Sequence, residues 1–147
     1  KIYVAIDGPR DNDVRQIQDN LIEHIRALQM NYPNRITIWR RTLNMKSGAS
    51  VISGLDWVFS VEQEACILED DLEIDADFFK FINFGISQMS LDSNLLMVAG
   101  SNPFTNSKEL EFGFVNYPVS WGWATNRENW AKIRSLILSF SKLIGTS

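Results

Sequence analysis

The chain has 147 residues, 45% of them hydrophobic and 22% charged, with a formal net charge of −4. That size and balance suit one soluble globular core and are too small for two comfortable ones, so a single domain over residues 1–147 is expected. No Lys/Arg cluster occurs beyond Arg40-Arg41, and this excludes a nucleic-acid partner, which calls for a basic face.

Ile2 to Ile6 is a short apolar run ending at Asp7-Gly8-Pro9, which predicts a strand buried on both faces and then a turn. Val14, Ile17, Leu21, Ile25 and Leu28 follow at helical spacing, with Arg15, Gln18, Asp19 and Glu23 between them, so the apolar stripe is expected to face the core. Asn31-Tyr32-Pro33-Asn34 breaks this helix, and Ile36 to Trp39 reads as a second strand. A second helix is expected from about Ser47 to Phe59, and a third strand from Ala65 to Leu68, ending in Glu69-Asp70-Asp71. Asp75 is placed to cap a third helix whose apolar stripe is Phe78, Phe79, Ile82 and Ile86. Leu95 to Ala99 reads as a fourth strand, and Gly100 to Pro118 as loops around a short strand at Phe112 to Val115. Thr125-Asn126-Arg127-Glu128 has capping-box spacing and starts a last helix running to about Leu138.

Strands alternating with helices predict an α/β fold with a mostly parallel sheet covered on both faces. Ligands of such sheets sit at the carboxyl ends of the strands, and two of those ends carry acids: Asp7 after the first, and Glu69, Asp70 and Asp71 after the third. Cys66, the single cysteine, lies in the apolar run of the third strand and reads as a small buried thiol. No apolar stretch approaches the roughly 18 to 20 residues that span a bilayer, and no basic-then-apolar signal opens the chain. The lack of disulfides favours the cytosol; a secretory lumen would require an anchor upstream of Lys1.

Three consecutive carboxylates leaving an apolar strand repel one another unless a cation, hydrogen bonds or solvent compensate them. A hard divalent ion, Mn²⁺ or Mg²⁺, is one compensation; it takes one or two protein carboxylates and fills its shell with water and phosphate. A solvated acidic turn is the other. Trp121-Gly122-Trp123 offers either an apolar wall for a sugar ring, with Gly122 permitting close backbone approach, or plain core packing. Lys46 before the second helix is either a point charge for a phosphate or a solvated lysine. Trp130 reads as core and His24 as a surface residue, and Arg10 is assigned no role.

Ile67-Leu68-Glu69-Asp70-Asp71-Leu72-Glu73 followed by Asp77-Phe78-Phe79 resembles the acidic motif region of GT-A glycosyltransferases of the N-acetylglucosaminyltransferase I type and of bacterial nucleotide-diphospho-sugar transferase relatives. Three further stretches resemble that family in the same order: Tyr3 to Arg10 its second strand, Leu43 to Phe59 the helix before the acidic strand, and Ser120 to Ala124 through Trp130 its Trp-Gly-Trp segment. The likeness covers roughly residues 1–131. It implies a metal-dependent, inverting transfer of a sugar from a nucleotide-diphosphate donor, a UDP-sugar by preference, to a glycan or other hydroxyl acceptor. By position, Asp71 would be the metal ligand, and Glu69 and Asp70 would meet the nucleotide sugar. Asp7 would lie by the base, where a carboxylate can accept from the N3–H of uracil; a turn former before Gly8-Pro9 is the plainer reading.

Two features depart from the family pattern. Nothing before Lys1 supplies the strand, turn and helix with which a GT-A domain opens, so the chain reads as a partial domain. The carboxylate base of inverting members should follow the Trp-Gly-Trp segment, yet no Asp or Glu follows Glu128, which itself suits a helix cap. Glu109 or Glu111 could replace the base. A degenerate, non-catalytic binding domain is the alternative, and a phosphoacceptor signalling domain is disfavoured because the strand ending Val98-Ala99-Gly100-Ser101 carries no acid. A missing first strand would uncover a sheet edge and invite homodimers.

Overall fold

The computed structural model describes residues 1–101 and 112–143. It is an α/β structure whose chain divides into two compact units, Lys1–Val58 and Phe59–Ser147. Among the described residues there are four helices and five strands, in two small sheets. No helix among them is long and apolar enough to cross a membrane.

The first unit runs β1 (Ile2–Ile6), α1 (Asn12–Asn31), β2 (Ile36–Arg40) and α2 (Lys46–Phe59). β1 and β2 pair in parallel with Ile2 opposite Ile36 and Ile6 opposite Arg40. Alternation then sends Tyr3, Ala5, Trp39 and Arg41 to one face and Val4, Ile6, Ile38 and Arg40 to the other. On the first face α2 is held by Trp57, which meets Tyr3 edge-on and Trp39 at a tilt, each at 5.3 Å between ring centroids. Arg41 is buried there, its guanidinium 4.2 Å from the Trp39 ring and bonded to Ser50 Oγ, the Ser50 carbonyl and Ser53 Oγ.

On the second face lies α1, turned differently from the sequence expectation. Asp11 caps it, accepting from the Val14 N–H at 2.8 Å. Its one buried residue is Ile22, whereas Ile17, Leu21 and Leu28 of the expected core stripe are 67%, 47% and 50% exposed. The reason is polar: Gln18 donates to the Asp7 carbonyl, Gln29 donates to the Ile36 carbonyl, and Arg40 forms an ion pair with Asp19. These three links fix a rotation in which Ile22, about 100° around the helix from Leu21, meets the sheet. β1 is likewise less covered than a strand buried on both faces, since only Ile6 is fully buried and Ile2 is exposed.

The second unit contains β3 (Glu64–Ile67), α3 (Phe78–Met89), β4 (Val98–Ala99), β5 (Trp123–Asn126) and α4 (Arg127–Leu143). Its sheet order is β3-β5-β4, and both neighbours pair antiparallel with β5. The expected mostly parallel sheet is therefore replaced, among the described residues, by one parallel pair and one antiparallel triple. β5 makes the difference: Trp123–Asn126 turns back between β3 and β4 and fills the space where they would otherwise have paired. Its residues Trp123, Ala124 and Thr125 are buried, and Phe78 and Ile82 of α3 pack on Ala124.

Two caps lie beside the expected positions. Asp75 does serve α3, accepting from the N–H groups of Asp77 and Phe78 at 2.8 and 2.9 Å, although the helix begins only at Phe78. At α4 the cap is Asn126, whose Oδ1 accepts from the Asn129 N–H at 2.8 Å. Thr125 belongs to β5 instead, fully buried, with its hydroxyl donating to the Leu96 carbonyl at 2.7 Å. Phe112 to Val115 forms no strand. Phe79 points outward, 49% exposed, with its ring edge-on to Phe78.

Candidate functional site

In the first unit the turn after β1 and the loop before α2 are clasped together. Both carboxylate oxygens of Asp7 accept from the Met45 N–H, at 3.0 and 3.1 Å. Asn44 bridges the same two segments, its amide donating to the Gly8 carbonyl at 2.8 Å while its Oδ1 accepts from the Lys46 N–H at 3.2 Å. Gly8 is buried against this loop so closely that a Cβ built there would lie 2.1 Å from the Leu43 carbonyl carbon. Asp7 stays half-exposed, and a carboxylate sharing one N–H between two oxygens keeps further lone pairs for a ligand.

Lys46 is exposed at the start of α2 with φ of 64°, in the left-handed region that costs a residue with a Cβ about 1 kcal/mol or more. The clasp holds it there. Lys46→Gly should therefore stabilise the first unit by about 0.5–1 kcal/mol, read as a higher urea midpoint at unchanged slope. An unchanged or lower midpoint would mean that the lysine side chain contributes more than the strain removes.

In the second unit β3 delivers the acids. Glu69, Asp70 and Asp71 are all exposed, in a turn in which the Leu72 N–H reaches the Glu69 carbonyl at 3.4 Å. Exposure lets water solvate the three charges, so the fold itself does not require a cation there. Among the described residues no three His, Cys, Asp or Glu side chains converge to hold a metal; Asp71 would serve as a single protein ligand, which suits Mn²⁺ or Mg²⁺ completed by water and phosphate. Cys66, within β3, is half-buried, and burial pushes its thiol pKa up.

The Trp-Gly-Trp segment lies beside that turn. Ile67 pairs with Trp123, so the next positions of the two chains, Leu68 and Gly122, face one another. Gly122 has φ of 63°, and a Cβ on it would come 3.0 Å from the Phe78 ring and 3.7 Å from Leu68. Its carbonyl accepts from the Gly100 N–H at 2.7 Å, which ties the end of β4 into the same corner. Trp121, before the glycine, is 61% exposed, whereas Trp123 is 7% exposed within the sheet and Trp130 stacks on Phe59 in the core. The two tryptophans thus divide the two readings between them: a surface ring at Trp121 and a packing ring at Trp123.

The structure brings Asp7 next to the amide preceding Lys46 in one unit, and in the other it brings Leu68, which leads into the acidic turn, next to Gly122, which follows Trp121. Asn44 was not singled out in the sequence, although an Asn two residues before the amide it accepts from is the signature of an Asx turn. Glu128, read from the sequence as part of a helix cap, is instead exposed in the first turn of α4 and pairs with Lys132 at 3.0 Å, the cap being Asn126. Glu109 and Glu111 lie outside the described residues. A groove of about 780 Å³ between α1 and β2, lined by Asp19, Glu23, Arg26 and Arg40 among others, contains none of the sequence-predicted site residues. Comparison of the chain with protein-family models, with curated proteins and with solved structures finds no match to any of them.

Proposed function

We propose that this chain is a nucleotide-sugar-binding domain of a GT-A-like glycosyltransferase, which moves a sugar from a UDP-type donor to a glycan or other hydroxyl acceptor with inversion. The observation that carries this reading is the corner where Leu68 meets Gly122 at the end of the β3-β5 pairing, from which the exposed acidic turn Glu69-Asp70-Asp71 and the exposed ring of Trp121 both leave. Hard carboxylate oxygens beside an apolar ring suit a ligand that is anionic at one end and a sugar at the other.

In this reading Asp71 holds Mn²⁺ or Mg²⁺, which when bound neutralises charge on the diphosphate leaving group. Glu69 and Asp70 accept hydrogen bonds from donor hydroxyls or water, and Trp121 offers a ring face to the sugar. Gly122 keeps the backbone low enough for close approach, and Trp123 supports the segment from inside the sheet. The cytosol is the proposed compartment.

The test is calorimetric titration of UDP, and separately GDP, with Mn²⁺ present and then with chelator. Metal-dependent binding of UDP is expected, weakened at least about tenfold in Asp71→Ala. No binding by either nucleotide, or binding indifferent to chelator and to Asp71→Ala, would sink the reading. A non-catalytic binding module is the second reading, favoured by the place of Glu128 on the exposed surface of α4, paired with Lys132. Donor hydrolysis or transfer separates the two.

A further inference from the structure

Helix α1 carries an apolar stripe on the side turned away from β2. Ile17, Leu21 and Leu28 are largely exposed, and Val14 and Ile25 are half-buried at its margin. Rotating the helix to bury the stripe would break the Gln18, Asp19 and Gln29 links to the sheet and expose Ile22. The stripe is therefore a fixed outer surface of the first unit.

Its spacing decides what fits on it. With Leu21 as centre, the apolar residues lie four and seven positions away on either side: Ile17 and Ile25, then Val14 and Leu28. The pattern reads the same in both directions. A second α1 laid antiparallel with Leu21 on Leu21 would set Ile17 against Ile25 and Val14 against Leu28, twice over, which is the self-complementary arrangement of a two-fold interface. At the margins the same register opposes Asp11 to Asn31, Asp13 to Gln29 and His24 to Gln18, so no two like charges meet. The helix dipoles would also run in opposite directions.

We propose that this chain forms a two-fold homodimer through α1, centred on Leu21. The helix of 20 residues gives a contact about 30 Å long and about 10 Å wide on each copy, on the order of 600 Å² in all. That is below the roughly 1,000 Å² of a stable interface, so the dimer is weak and concentration-dependent.

Sedimentation equilibrium of the chain should show the mass rising from one copy toward two between about 10 μM and about 1 mM. Leu21→Glu sets two carboxylates face to face on the axis and should weaken dimerisation at least about tenfold. Circular dichroism should stay unchanged, because Leu21 is 47% exposed in the single chain. The register is tested in a Cys66→Ala background: Leu21→Cys meets its own copy and should oxidise to a covalent dimer, whereas Ile17→Cys faces Ile25 and should not. A chain monomeric across the whole range overturns the proposal. So does a dimer that survives Leu21→Glu, which would point to a sheet edge, or Ile17→Cys cross-linking as readily as Leu21→Cys.

Discussion

Gly8→Ala should cost about 3 kcal/mol, the largest loss expected of any single added methyl in the first unit. The new Cβ would lie 2.1 and 2.3 Å from the carbonyl carbon and oxygen of Leu43 and 2.5 Å from the Asn44 nitrogen. All three are backbone atoms, so no rotamer change can make room. The loop must move as a body, and it carries the Met45 N–H that Asp7 accepts and the Asn44 amide that reaches Gly8. Relief of the clash thus breaks the bonds that hold Lys46 in its left-handed conformation. Urea unfolding followed by tryptophan fluorescence measures the loss, with Trp39 and Trp57 reporting from the same unit. A change under about 1 kcal/mol would mean that the turn and the loop approach less closely than the structure has them. Gly48→Ala is the control: a Cβ there meets nothing within 4 Å, and the substitution favours the helix by a few tenths to about 1 kcal/mol.

Period and punctuation carried most of the element order. The runs Ile2 to Ile6, Ile36 to Trp39 and Ala65 to Leu68 are too short and too apolar for surface helices, and each became a strand within a residue or two of its expected ends. Which face of α1 meets the sheet was not legible, because hydrophobic spacing locates an apolar stripe without saying what it touches. Three polar side chains, each bonding a partner outside the helix, outweighed that stripe. β5 escaped for a related reason. Ala124, Thr125 and Asn126 have neither alternation nor length, and Thr125 looked like a cap because its hydroxyl could serve a helix; the buried hydroxyl found the Leu96 carbonyl instead. At the candidate site, the exposure of Glu69-Asp70-Asp71 and the split between Trp121 outside and Trp123 inside depend on strand pairing, which local sequence does not encode. The Asp7 clasp was equally hidden, since its partner is a backbone amide 38 positions away.

Ile82→Ala should destabilise the second unit by about 3–5 kcal/mol, in the upper part of the range for such truncations. Ile82 is 1% exposed and packs with Phe78 and Ala124, with Cys66, Ile86 and Val98 around them. How much a truncation costs depends on how far the neighbours can close the cavity. Here Cys66, Val98 and Ala124 sit on strands locked to one another through β5, and Ala124 has no side chain to swing inward. Phe78 is the one large neighbour, and it is held against the backbone of Gly122. Ile82→Val should cost only about 0.5–1.5 kcal/mol, and Phe79→Ala less again because half of that ring is already in water. Thermal or urea unfolding of the three variants gives the ordering Ile82→Ala, Ile82→Val, Phe79→Ala. If Ile82→Ala lost no more than Ile82→Val, the strands would have to be free to close on the cavity. The corner where Leu68 meets Gly122 would then be too soft to hold the acidic turn and Trp121 at a fixed separation, which a site that reads both ends of one ligand requires.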